Sequence, residues 1–98
     1  MSVAVAFRRA ARTEFLEAAR WYESQRRNLG HEFIAEIDRC VALAAAQPQV
    51  YAPVYKGVRC ITAERFPYSV YFRVEVRRIV VLAVFHGSRD PSNWQSRA

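Results

Sequence analysis

The chain has 98 residues, close to the common domain size of roughly 100 to 150, which excludes a second independent core. Its 52% hydrophobic content excludes an intrinsically disordered chain. The net charge is +6, and every basic residue but Lys56 is arginine, whose planar fork suits phosphate and carboxylate; nucleic acid, an acidic protein and an anionic membrane all remain open as partners, beside the plainer reading of a solvated surface.

Val3 to Phe7 alternates large and small apolar residues ahead of a charged stretch, which predicts a short strand. From Arg9 to Arg27, Ala11, Phe15, Ala18, Ala19 and Tyr22 recur at steps of three and four, the signature of an amphipathic helix. Asn28-Leu29-Gly30 then stops it, because asparagine and glycine tolerate the left-handed conformation at a helix C-terminus. A second periodic run, Phe33, Ile37, Val41 and Ala44, widened by Ile34 and Cys40, continues to Ala46 and is ended by Pro48. So short a connection predicts an antiparallel helical hairpin.

Tyr51, Pro53, Tyr55 and Gly57 read as a loop, after which the period becomes two. Strands are expected over Val58 to Glu64, Tyr68 to Glu75 and Ile79 to His86, with Phe66-Pro67 turning the first pair. The last strand is apolar on both sides, as a central strand flanked by partners should be. The expectation is a single α+β domain over residues 1–98 in β-α-α-β-β-β order, an N-terminal strand and helical hairpin packed on a mainly antiparallel sheet.

Cys40 and Cys60 lack metal-ligand spacing and read as buried free thiols, so neither a metal nor a cofactor is expected. The opening apolar run precedes Arg8 and Arg9, the reverse of a signal peptide, and no apolar run reaches the roughly 20 residues of a membrane span; a cytoplasmic protein is expected. No phosphate-binding glycine loop and no Gly-x-Ser-x-Gly element is present.

The sharpest local feature is His86-Gly87-Ser88-Arg89-Asp90-Pro91-Ser92-Asn93-Trp94, which follows a buried strand directly. Histidine can exchange a proton near neutral pH, arginine can hold a phosphate and glycine lets backbone approach a ligand. Such a group could cleave RNA, or it could anchor a C-terminal tail. Arg59, Arg65, Arg73 and Tyr71 are the other candidates, since a sheet face bearing Arg59, Arg73 and Tyr71 could meet nucleic acid by phosphate contact and stacking, or an acidic peptide. His31, just after the helix break, reads as a helix-start or surface residue.

Glu14 to Glu23, Leu29-Gly30, Phe33, Tyr51-Ala52-Pro53, Val58-Arg59, Phe66-Pro67-Tyr68, His86 and Arg89 occur in an order and spacing that resembles the RelE/ParE toxin superfamily, in its ParE-like plasmid-stabilisation branch. The likeness runs from Phe7 to Arg97. It implies the toxin of a type II toxin–antitoxin module, wrapped and silenced by an acidic, partly disordered antitoxin in a higher-order complex. It also implies two targets across the superfamily, DNA gyrase for ParE-like members and ribosome-bound messenger RNA for RelE-like nucleases.

RelE-like nucleases place an arginine just after the tyrosine that opens the third strand, where this chain has Ser69 after Tyr68. Serine cannot neutralise a phosphorane as arginine does. The resemblance therefore implies a gyrase inhibitor without catalytic residues, whose target contacts are drawn from Arg59, Arg65, Tyr71, Arg73, His86, Arg89 and Trp94, with Arg59, Arg65, His86, Arg89 and Trp94 exposed. The alternative is an mRNA endoribonuclease using His86, Arg89 and Arg65, and a third is an inactive toxin-like binding module.

Overall fold

A computed structural model describes residues 2–98. The alternation at the start of the chain forms β1 (Ala4–Phe7), and the chain turns at Arg8 into α1 (Arg9–Gln25). A short connection leads to α2 (Leu29–Ala46). Pro48 opens a single 3₁₀ turn, then β2 (Pro53–Tyr55), β3 (Val58–Thr62), β4 (Tyr68–Val74) and β5 (Arg78–His86) follow, with a last short helix α3 (Ser92–Gln95). The five strands form one sheet in the order β1-β5-β4-β3-β2. Only the β1–β5 pairing is parallel.

Both helices lie on one face of the sheet. Ala11, Ala18 and Ala19 of α1 and Phe33, Ile37, Cys40, Val41, Ala44 and Ala45 of α2 are buried against Ile61, Val70, Phe72, Ile79, Val81 and Val84. Phe33 is the hub, fully buried with Tyr68, Tyr22 and Phe66 rings at 5.0, 5.1 and 5.2 Å. Burying such a side chain contributes roughly 1.5–3 kcal/mol. β5 carries apolar residues on both sides because it is flanked by β1 and β4 and covered on both faces; its second face, with Val80, Leu82, Ala83 and Phe85, lies under Trp94 of α3.

The α+β reading holds, with two additions. Pro53–Tyr55, read as loop, is an edge strand that pairs with β3 across the Lys56-Gly57 turn, where both residues have positive φ (46° and 78°). Its proline sits on an edge, where a missing ladder donor is tolerated. The tail after Arg89 is also structured: an Asp90 side-chain oxygen accepts the Ser92 N–H at 3.0 Å and starts α3.

The helix break needs a different physical account. Asn28 does adopt φ 69°, but Gly30 lies inside α2 with an ordinary helical role replaced by a packing one. A Cβ at position 30 would come 2.5 Å from the Ala19 carbonyl oxygen and 3.0 Å from Glu23 Cβ. Glycine is there so that α1 and α2 can touch. The Glu23 carboxylate completes the junction, accepting the Asn28 and Gly30 N–H groups at 3.0 Å each, which satisfies open donors at the start of α2 and holds its carboxyl below the usual range.

α2 is fastened to the sheet by Glu36. Its carboxylate takes Arg39 Nε and Nη2 at 2.9 and 2.8 Å and the Glu64 N–H, just past β3, at 2.7 Å. The Arg39 hydrogen bonds, then the Glu64 N–H, lower its pKa from 4.5 to about 2.

Gly30→Ala sets helix propensity, which favours alanine by about 1 kcal/mol, against a backbone collision that costs about 1–3 kcal/mol. The collision partner is a main-chain oxygen that cannot swing away, so a net loss of stability is expected in urea unfolding. Because Glu36 titrates lower in the folded than in the unfolded chain, its stabilisation is complete above pH 4.5 and is lost as pH falls toward about 2. Glu36→Gln should therefore unfold less steeply over that acid window than the parent, as read from stability against pH by circular dichroism.

Candidate functional site

β5 outruns its neighbour. β1 ends at Phe7 opposite Val81, while β5 continues to His86, so the upper edge of β5 has no strand beside it. Side chains take over there. Glu14 of α1 accepts the Val84 N–H at 3.1 Å, and Arg97 from the C-terminal tail donates to the Leu82 carbonyl at 3.0 Å. The two are joined to each other by a two-pronged ion pair, Nη1 to Oε1 at 3.0 Å and Nη2 to Oε2 at 2.8 Å, with side chains 23% and 12% exposed. At that shielding the pair counts as structural rather than as a surface salt bridge.

His86 stands at the end of this strand, beside Tyr68 across the sheet with ring centroids 5.1 Å apart. The Ser88 backbone N–H donates to His86 Nδ1 at 3.0 Å, and Ser88 Oγ is 2.8 Å from the same nitrogen. A backbone N–H can only donate, so Nδ1 is an acceptor and the neutral ring carries its proton on Nε2. In this form the basic nitrogen of His86 is the one that Ser88 already engages. Arg89 lies over the Phe85 ring at 4.3 Å with Nη1 3.5 Å from Glu14 Oε2.

A groove of about 530 Å³ opens between α1 and the strand ends, lined by Trp21, Tyr22, Pro67, Tyr68, His86, Ser88 and Arg89. Burial raises the pKa of the Tyr68 phenol, which therefore stays a neutral hydroxyl. Gly87 is tied by its N–H to the Pro67 carbonyl at 2.8 Å, and a Cβ there would meet only that oxygen at 3.7 Å, so the position does not require glycine.

The other candidates lie elsewhere. Arg65 lines no part of this groove: it donates to Glu32 at 2.7 Å and lies against Phe66. Arg59 pairs across from Phe72 and so shares the helix-facing side of the sheet, where Nη1 donates to the Tyr51 carbonyl. Tyr71 and Arg73 alternate with Phe72 and stand on the opposite side, so the expected common face of Arg59, Arg73 and Tyr71 does not exist. Trp94, expected as an exposed contact, is 4% exposed: its ring stacks on Tyr71 at 4.0 Å and 18°. Cys60 is half-buried rather than buried, unlike Cys40. His31 is a surface residue at the start of α2.

Three residues of the site went unread as such. Glu14 and Arg97 carry no local signal of their pairing, since nothing in the sequence couples positions so far apart. Trp21 did leave a signal, a tryptophan off the apolar stripe of α1, and it sits 58% exposed at the groove mouth. Among the described residues no group of three metal-ligating side chains gathers, and no helix is long and apolar enough to cross a membrane.

Residues 5–91 match the model of the ParE toxin of the type II toxin–antitoxin system parDE. This chain belongs to the ParE toxin family. The ParE fold is also found in a solved chromosomal ParDE toxin–antitoxin system from P. aeruginosa, with a TM-score of 0.76 at 21% identity over 87% of this chain and 96% of that one. The toxin–antitoxin complex RelBE2 from Mycobacterium tuberculosis is similar in fold, with a TM-score of 0.60 at 20% identity over 88% of this chain and 99% of that one. Comparison with curated protein sequences gives no significant match.

In this ParE chain, Glu14→Ala removes the carboxylate that Arg97, Arg89 and the Val84 N–H share. Leaving partly buried donors unpaired costs about 2–4 kcal/mol. Lower stability in denaturant together with faster proteolysis within the α3 tail is expected; an unchanged cleavage pattern would mean that the tail is held by Trp94 alone.

Proposed function

We propose that this ParE-family toxin arrests growth in the cytoplasm by binding DNA gyrase, and that a cognate antitoxin holds it inactive in a higher-order complex. The observation that carries the reading is the state of the strand-end groove. Cleavage of RNA by 2′-hydroxyl attack, which forms a cyclic phosphate and releases the 5′-oxygen, needs a base and an uncommitted cation beside the phosphate. Here the His86 ring presents Nε2–H, Arg89 lies on Phe85 beside Glu14, and Arg97 is bound to the same carboxylate. Ser69, the departure from the nuclease pattern, faces away from His86, with Oγ 3.2 Å from Thr62 Oγ1. A surface rich in aromatic rings and held rigid by a strand suits contact better than chemistry.

For the antitoxin, the structure offers a second groove, of about 200 Å³, between α1 and α2. Leu16, Ala19 and Ile34 line it, with Arg20, Glu23 and His31 around them. An acidic segment that lays apolar side chains between the helices and carboxylates on the arginines would fit, as an extended or helical peptide does in a hydrophobic groove. That the solved relatives are toxin–antitoxin assemblies supports such a partner. The nuclease reading keeps one point in its favour, the open aromatic cleft of Trp21, Tyr68 and His86 next to Arg89.

Purified protein is expected to inhibit supercoiling by gyrase and to leave ribosome-bound messenger RNA intact. His86→Ala should weaken gyrase inhibition by no more than about tenfold, the worth of roughly 1.4 kcal/mol of contact. Codon-positioned cleavage of messenger RNA without gyrase inhibition, abolished by His86→Ala, would overturn the proposal in favour of the endoribonuclease, and normal growth on induction without a partner would point to an inactive binding module.

A further inference from the structure

The end of the sheet remote from His86 carries charge of another kind. Two hairpin turns meet there, Lys56-Gly57 between β2 and β3, and Glu75-Val76-Arg77 between β4 and β5. From Pro53 to Ile61 and from Val70 to Ile79 the only acidic residue is Glu75, against Lys56, Arg59, Arg73, Arg77 and Arg78. Glu75 is already used: it takes Arg78 Nε at 2.8 Å, and its N–H donates to the Arg78 carbonyl at 2.8 Å, closing the turn. Among the described residues Lys56, Arg73 and Arg77 make no ion pair.

Register places these cations together. Arg73 stands opposite Val80 and, one step beyond the Arg59–Phe72 pair, opposite Val58, which in turn pairs with Tyr55. Arg73 is thus on the sheet face away from the helices, and the Lys56 ammonium lies over the Tyr55 ring at 5.3 Å. Strands are spaced about 4.8 Å apart, so Arg73 and the Tyr55–Lys56 pair are roughly 10 Å from one another along one rim. Arg77 and the 97% exposed Val76 project beyond them at the hairpin tip.

We infer that this rim is a docking surface for the phosphodiester backbone of nucleic acid. Three uncompensated cations on rigid hairpins match a polyanion of regularly spaced charge, which needs positive potential rather than a fitted cavity. An acidic peptide is the weaker match, because the depression at this turn is lined by Glu75 to Arg78 and offers a single apolar side chain. The apolar trough that would seat peptide side chains lies between the helices instead. The inference does not rest on the gyrase reading, and the rim shares no residue with the His86 groove.

Fluorescence anisotropy of the full chain against a labelled 20-base-pair duplex, a single-stranded RNA and a poly-glutamate peptide, each at 50 and 200 mM salt, tests it. Nucleic acid of either kind should bind with steep salt dependence, the two arms showing which is preferred. Arg73→Gln with Arg77→Gln should weaken it by about tenfold or more and reduce the log–log salt slope by about 2. Arg9→Gln with Arg27→Gln, an equal charge loss at exposed positions on the helical side, should leave binding nearly unchanged. An equal loss from both pairs, no binding to either nucleic acid, or tighter binding of poly-glutamate would overturn the inference; circular dichroism of each variant confirms that it is folded.

Discussion

A strand that is longer than its neighbour leaves main-chain polar groups without partners, and this molecule depends on how that deficit is met at Val84 and Leu82. Glu14 and Arg97 act as a surrogate strand: one accepts from the edge, the other donates to it, and each neutralises the other. Unmet groups at such a place would cost free energy comparable to lost hydrogen bonds. Because Glu14 belongs to α1 and Arg97 to the tail behind the sheet, one carboxylate fixes the helix, the central strand and the C-terminal cover relative to each other. His86 inherits its direction from that arrangement.

The sheet therefore has two unlike faces. The helical side is an aromatic core centred on Phe33, and its outer surface carries the groove between α1 and α2. The other side is covered over its middle by Trp94 on Tyr71, which leaves Thr62 at one end and Arg73 at the other outside that cover. The strand end, the helical groove and the hairpin rim are thus three separate regions of the surface.

Much of the fold was legible because its elements are long and periodic: the stripes of α1 and α2 and the doubly apolar β5 read directly as an α+β hairpin on a sheet. What escaped was short or non-local. β2 has too few residues for alternation to register, and α3 is a single turn started by Asp90. The role of Gly30 was misread because a glycine beside an asparagine looks like a stop signal, while the demand on it comes from Ala19 of the other helix. At the site, His86 and Arg89 were visible as a polar break after an apolar strand. Their neutralisation was not, since Glu14 reads as solvated charge until the fold brings it to Val84. Trp94 misled for a related reason: a tryptophan in a polar tail looks exposed until Tyr71 is placed beneath it.

The left-handed turn at Lys56 has a chemical consequence as well. Lys56 is the only side-chain amine in the chain, every other residue of the Lys/Arg class being arginine. Reagents and enzymes that modify amines, by acylation, tagging or crosslinking, would find one side chain, at φ 46° on an exposed hairpin far from both grooves. Coupling there would tether the protein by a single defined point with the helical groove and the strand end facing outward. The same uniqueness means that acetylation of one residue would remove a whole unit of charge from the hairpin rim and none from any other surface.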